Sequence, residues 1–163
     1  MDADYMSLLT KASNEIWTVF RDSVRQRKII SDKEYDEIRK RYKGTEVEKY
    51  VKRYITHCCK PTQQKGIEDT EWLINMARQA NREMWVVFKE YMQKVLSKTM
   101  TDKDWSEVSE KLDLIYRKTY LMTKAGHYAK NYSLVCMDEL DRKHRQVNDI
   151  TDDLVEYMTG KGG

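Results

Sequence analysis

The sequence "EIWTVF" at Glu15–Phe20 returns almost unchanged as "EMWVVF" at Glu83–Phe88. The match continues upstream, where Ala3–Ser13 aligns with Glu71–Asn81. Matched blocks in a constant order predict a tandem duplication of a unit of about 60 residues. Two further matched pairs follow downstream: "ISDKEYDEI" (Ile30–Ile38) with "MTDKDWSEV" (Met100–Val108), and "YVKRYITHC" (Tyr50–Cys58) with "YAKNYSLVC" (Tyr128–Cys136).

The composition predicts an all-α protein that forms one domain over 1–163. A chain of 163 residues, 40% of them hydrophobic, can bury one ordinary core. One proline and six glycines leave few positions at which a helix must end. No apolar run approaches the roughly 18 residues of a membrane span, and the acidic start is unlike a secretory signal. Three cysteines suit a reducing compartment, so we expect a cytoplasmic protein that does not enter membranes.

Each copy is expected to contain three helices. The first helix carries an apolar stripe with alternating spacings of four and three, which favours packing against a second helix. Pairing the two stripes about a pseudo-twofold axis would place Trp17 and Trp85 near the contact, largely buried. The stripe residues are Tyr5, Leu9, Ala12, Ile16 and Val19, with the counterparts Leu73, Ala77, Ala80, Met84 and Val87.

Local signals set the helix boundaries. Capping boxes are predicted at Ser31 with Glu34, Thr101 with Asp104, and Thr45 with Glu48. Gly44 suits a left-handed position after the second helix. The third helix of copy one is expected to bury Val47, Tyr50, Val51, Tyr54 and Cys58.

These signals divide the chain into four parts. Copy one occupies about 2–59, a linker covers 60–66, copy two occupies about 70–137, and a C-terminal helical extension covers 138–158. The third helix of copy two should continue past His144. A last short helix, beginning near Asn148 or Thr151, would carry Leu154, Val155 and Met158.

The sequence offers little evidence of catalysis. Cys58, Cys59, Cys136 and His127 are metal-type ligands, but they lack the paired spacing of structural zinc sites, and burial in the core is the favoured interpretation. Asp141 and His144 resemble half of a di-iron motif, with basic neighbours that oppose a cation. Gly-rich phosphate loops and nucleophile motifs are missing. We expect a non-enzymatic binding protein without a cofactor; a metal or redox protein is the least favoured alternative.

Positive charge is concentrated in copy one. Residues 1–66 hold 15 basic and 10 acidic residues, a balance of +5, whereas the remainder balances to −2. This asymmetry indicates a contact role with an anionic partner, the alternative being a solvated basic face. The predicted partner-binding residues are Arg39, Lys40, Arg41, Lys43, Lys49, Lys52 and Arg53.

A DNA-binding regulator remains an alternative. Residues 32–57 have the size of a helix-turn-helix, and Tyr50 and Tyr54 stand among basic residues. However, Glu46 and Glu48 stand where the recognition helix would meet DNA, and both tyrosines belong to the predicted buried stripe.

The segment Asn14–Tyr54, with its W-x-x-F pattern, D-x-x-Y helix and "YKGT" turn, resembles small helical accessory proteins of phages and mobile elements in Firmicutes. The resemblance implies a role in a bacterial host cell, as an antagonist of host defence of the anti-CRISPR type. Since the chain is mildly basic, DNA mimicry fits poorly. The implied partner is a host protein, such as a CRISPR effector nuclease or its guide-RNA complex.

Overall fold

A computed structural model of the chain describes residues 2–26, 32–64, 69–121, 123 and 125–149. Within these ranges all regular structure is helical, as the composition predicts. Two π-helical segments, Tyr54–Cys59 and Tyr116–Tyr120, follow α3 and α6 without a break. The α-helices are α1 (Asp2–Arg25), α2 (Asp32–Tyr42), α3 (Glu48–Arg53), α4 (Lys60–Gln64), α5 (Thr70–Leu96), α6 (Asp102–Ile115) and α7 (Gly126–Val147).

The two long helices α1 and α5 lie side by side and antiparallel. Arg25, at the end of α1, pairs with Glu71 at the start of α5, with Nε 3.0 Å from Oε2. Farther along, the guanidinium of Arg78 lies 5.9 Å from the centre of the Trp17 ring. The predicted stripes face the core, with Ile16 on α1 and Met84 on α5 fully buried. Their last predicted members, Val19 and Val87, are only half-buried, and the following residues Phe20 and Phe88 occupy the core.

The repeated tryptophans lie at the edge of the core rather than at its centre. Trp17 and Trp85 are only half-buried, and the rings of Phe20 and Phe88 fill the interior. Each indole packs on the neighbouring phenylalanine, with centroids 5.5 Å apart for Trp17 and Phe20 and 5.3 Å apart for the second pair. Successive helix residues are turned by about 100°, so a residue next to Ile16 falls on the flank of the stripe.

The third helix of copy one continues into the predicted linker. Val47, Tyr50, Val51, Tyr54 and Cys58 are buried, as predicted. The chain then stays helical through Lys60–Gln64, so the first part of the segment 60–66 is not an extended linker. The buried Thr62 donates its hydroxyl to the carbonyl oxygen of Cys58 (2.8 Å), which fixes this turn. Residues 65–68 lie outside the described ranges.

One predicted capping box forms, one does not, and the third lies outside the described residues. Thr101 Oγ1 accepts from the Asp104 amide (3.2 Å), while the Thr101 amide donates to Asp104 Oδ2 (2.9 Å). The predicted box at Thr45 is wrong, because its hydroxyl donates to the Tyr42 carbonyl (2.6 Å) and α3 starts only after Val47. Gly44 has a φ of +79°, which confirms its predicted role. Ser31 is not described.

Lowering the pH should remove the stability that the Asp104 carboxylate contributes at the start of α6. Lys94 Nζ lies 2.8 Å from Asp104 Oδ1, and this bond, with the Thr101 amide, lowers the pKa of Asp104 from 3.8 to about 2. When a carboxyl group has a lower pKa in the folded chain than in the unfolded chain, it stabilises the fold at every pH above its unfolded-state pKa. This stabilisation is lost as the pH falls to the folded-state pKa. We expect the difference in melting temperature between wild type and Asp104→Asn to shrink between pH 3.8 and about 2. A difference that stays constant across this range would contradict the assignment.

The last described helix extends beyond the repeat. α7 runs through Leu140 and past His144 to Val147, as predicted, so the first part of the extension 138–158 belongs to α7. The predicted terminal helix with Leu154, Val155 and Met158 lies outside the described residues.

Contacts at the centre of the bundle recur when each residue is replaced by its counterpart in the other copy. The hydroxyls of Tyr54 and Tyr128 lie 2.7 Å apart, and those of their counterparts, Tyr132 and Tyr50, lie 3.3 Å apart. Similarly, Ser13 Oγ lies 2.7 Å from Tyr50 OH, and the matching Asn81 Nδ2 donates to Tyr128 OH over 2.8 Å. Paired contacts of this kind are expected when equivalent units pack about a twofold axis. Superposition of the two copies stays a prediction.

Candidate partner-binding surface

The two arginines of α2 pair with acidic residues of the same chain. Tyr35, Ile38 and Tyr42 of α2 are buried in the core. The side chains of Arg39 and Arg41 extend from the two sides of that buried face. Arg41 Nη1 pairs with Glu15 on α1 at 2.8 Å. Arg39 Nη1 pairs with Asp36 at 2.7 Å, and its Nη2 lies 3.3 Å from Thr56 Oγ1. Both arginines therefore contribute to holding α2 in place.

On α3 the predicted residues also separate. Lys49 and Lys52 are exposed, with Lys52 Nζ 3.7 Å from Glu48 Oε1. Arg53 is half-buried, and its Nη1 is enclosed without a hydrogen-bond partner among the described residues. Arg53 thus has less freedom to contact a partner than the two lysines.

Among the predicted partner-binding residues four lysines are exposed, and we call them the lysine surface: Lys40, Lys43, Lys49 and Lys52. Within the described ranges no ion pair involves Lys40, Lys43 or Lys49. Lys40 and Lys43 are joined by a backbone hydrogen bond (3.4 Å), and Lys49 and Lys52 are one helical turn apart. The turn around Gly44 connects the two pairs.

The aromatic part of the DNA-binding hypothesis fails on geometry. Tyr50 and Tyr54 are fully buried, as the stripe predicts, so neither ring can stack on a base. Glu46, at the turn before α3, is held by α7: its carbonyl accepts from Arg142 Nη2 (2.8 Å), and its carboxylate lies 3.1 Å from Lys143 Nζ. Glu46 is thereby tied to α7, and Lys143 balances its charge.

The cysteines lie in the core. Cys58, Cys59 and Cys136 are fully buried and carry free thiols. Burial raises the pKa of Cys58 and of Cys136, which keeps these thiols protonated and unreactive. Cys58 Sγ donates to the Tyr128 carbonyl oxygen over 3.4 Å.

The two residues of the predicted half di-iron motif point to other neighbours. Asp141 pairs with Arg145 at 3.3 Å, and the ring of His144 meets Trp105 edge-on, with centroids 5.3 Å apart. Among the described residues, no three His, Cys, Asp or Glu side chains are grouped so that they could hold a metal ion.

A buried charged cluster, which the sequence interpretation missed, joins the start of α1 to α7. Glu139 is fully buried and accepts from Tyr5 OH, Arg142 Nε (2.8 Å) and Arg142 Nη2 (2.7 Å). Lys143 Nζ lies 4.2 Å from the centre of the Tyr5 ring. The sequence contains one indication that these charges are buried: Glu139 and Lys143 continue the helical spacing of the buried Tyr132 and Cys136 along α7.

No described helix is both long enough and apolar enough to cross a membrane.

The comparisons with known proteins are negative: no family model, no curated protein and no solved structure significantly matches this chain.

Proposed function

We propose that this protein is a non-enzymatic inhibitor from a phage or mobile element, which binds a bacterial defence nuclease of the CRISPR type through the lysine surface. The observation that carries the proposal is the exposure of Lys40, Lys43 and Lys49 without an ion pair to any described residue. The resemblance of Asn14–Tyr54 to mobile-element proteins supports the same role.

The lysine surface suits recognition of an anionic partner. Its charges stand away from the buried faces of α2 and α3, so the fold does not need them for packing. Exposed charges of one sign raise the rate of association with an oppositely charged surface, and they select against partners of like charge. An effector nuclease with its guide RNA offers acidic protein surface and phosphates.

The test is DNA cleavage by purified effector nuclease–guide RNA complexes in the presence of this protein. The variant combines Lys40→Gln, Lys43→Gln and Lys49→Gln, because neutral side chains avoid placing negative charge at the C-terminal end of α2. Loss of three charged contacts, each worth about 1 kcal/mol, would raise the inhibitory concentration roughly 100-fold. Arg39 and Arg41 are left intact, since their ion pairs with Asp36 and Glu15 hold α2.

A matched control variant neutralises three exposed lysines of copy two, Lys103, Lys118 and Lys130. It should inhibit as strongly as wild type, and both variants should keep the wild-type melting temperature within a few degrees. Equal loss of inhibition in both variants would reject the lysine surface. Absence of inhibition for every effector tested would reject the nuclease partner. Salt-dependent binding of random duplex DNA, lost only in the first variant, would favour the DNA-binding alternative.

A further inference from the structure

The outward side of α6 carries an apolar residue that the described part of the chain leaves uncovered. Leu114, near the end of this helix, is 62% exposed, and Val86 on the neighbouring α5 is 63% exposed. The two helices run antiparallel, and Glu90 of α5 pairs with Lys111 of α6 at 3.9 Å. Val86 lies one turn before Glu90 and Leu114 one turn after Lys111, so the two apolar side chains stand at the same level of the bundle.

The sequence match indicates that this surface is not needed for packing. Thr18 stands in copy one where Val86 stands in copy two, and Lys40 stands where Glu110 stands. The two copies therefore differ here in polarity and in charge, whereas their buried stripes agree. Exposed apolar side chains on one surface are typical of a contact with another molecule.

Two opposite charges flank Leu114 at equal distances. Glu110 precedes it by four residues and Lys118 follows it by four, and both side chains are exposed. Lys118 belongs to the π-helical segment Tyr116–Tyr120. A π-helical turn holds more residues than an α-helical turn, so a spacing of four stays close to one full turn. Glu110, Leu114 and Lys118 therefore follow one another along the same side of the helix, over about 12 Å.

The neighbouring charges are already balanced within the chain. Lys111 Nζ lies 3.9 Å from Glu90 Oε1, and Arg117 Nε lies 2.7 Å from Asp113 Oδ2. The acid and the base that flank Leu114, in contrast, form no ion pair with a described residue. This side of α6 thus offers one acidic and one basic group to a partner, with an apolar residue midway between them.

We propose that a second copy of this chain docks on this surface, with the two α6 helices antiparallel and Leu114 at the twofold axis. In such a pair, residues equally far before and after the axis meet. Leu114 then packs on its counterpart, and Glu110 of each protomer meets Lys118 of the other, so two ion pairs flank the apolar contact. A parallel arrangement would instead place Glu110 against Glu110 and Lys118 against Lys118, and like charges repel.

The dimer should be weak and reversible. Its apolar part consists of Leu114 and Val86 from each protomer, and small interfaces are typical of transient contacts. Dissociation by dilution follows from mass action, so unfolding measured on dilute protein reports the monomer.

The test is sedimentation equilibrium over a series of protein concentrations that reaches the millimolar range. Glu110→Lys alone and Lys118→Glu alone each make the two flanking charges alike, so both ion pairs become repulsive. Either change should raise the dissociation constant of the dimer at least about tenfold. An equimolar mixture of the two variants should dimerise with the wild-type constant, because opposite charges meet again across the interface.

The matched control is Lys49→Glu on α3, which changes the net charge by the same amount as Lys118→Glu and should leave the dissociation constant unchanged. Leu114→Ser should weaken the dimer without lowering the melting temperature of dilute protein, since the residue is exposed in the monomer. A wild-type protein that stays monomeric at every concentration would overturn the proposal. A mixture of the two charge variants that fails to dimerise, or an equal loss in the Lys49→Glu control, would overturn it as well.

Discussion

Replacing Glu139 by alanine should lower the free energy of unfolding by about 3 kcal/mol, since it leaves a largely enclosed arginine without its counter-charge. Glu139 is fully buried, and it accepts two hydrogen bonds from Arg142 and one from Tyr5 OH. The Arg142 side chain is 16% exposed, so water reaches part of the guanidinium, which sets the loss at the lower end of the range for buried pairs. Urea denaturation followed by circular dichroism measures the change.

Two comparisons identify the cause of that loss. Asp138→Ala removes an exposed acid from the neighbouring position on α7 and should change stability by less than about 0.5 kcal/mol. The double variant Glu139→Leu, Arg142→Met removes both charges, and should recover much of the stability, because apolar residues of similar volume can replace a buried ion pair. A Glu139→Ala loss below about 1 kcal/mol would show that the buried pair contributes little.

Truncation of either core phenylalanine of the repeated motif should cost about 3–5 kcal/mol, as expected for Phe→Ala at a fully packed site. Phe20 and Phe88 are both fully buried. The Phe20 ring lies 5.1 Å from that of Tyr128, and the Phe88 ring lies 6.5 Å from that of Tyr50, so each meets the corresponding tyrosine of the opposite copy. Corresponding tyrosine neighbours predict similar losses for Phe20→Ala and Phe88→Ala.

The measurement is again the free energy of unfolding from urea titration, with the slope m compared between variants. Leu114→Ala serves as the control, because Leu114 is 62% exposed and its truncation should cost less than about 0.5 kcal/mol. A large loss at one phenylalanine and a loss below about 1 kcal/mol at the other would contradict equivalent packing of the two sites.

The sequence by itself determined the features that depend on neighbours along the chain. Helical spacing identified Leu9, Ile16, Ala77 and Met84 as core residues, because the side of a helix that is apolar can be counted from the residues alone. The Thr101 cap was predictable for a similar reason, since its hydrogen bonds span three residues.

Only the tertiary structure decided which side chains meet across long separations. Glu139 and Tyr5 are 134 residues apart, and no local pattern pairs them. The basic residues show the same limit: Arg41 pairs with Glu15 on another helix, whereas Lys40 beside it has no ion pair with a described residue. Arg41 and Lys40 each carry one positive charge, so charge alone does not tell them apart. Spacing shows which side of a helix is polar, but the positions of the other helices decide which polar groups are paired and which remain open to a partner.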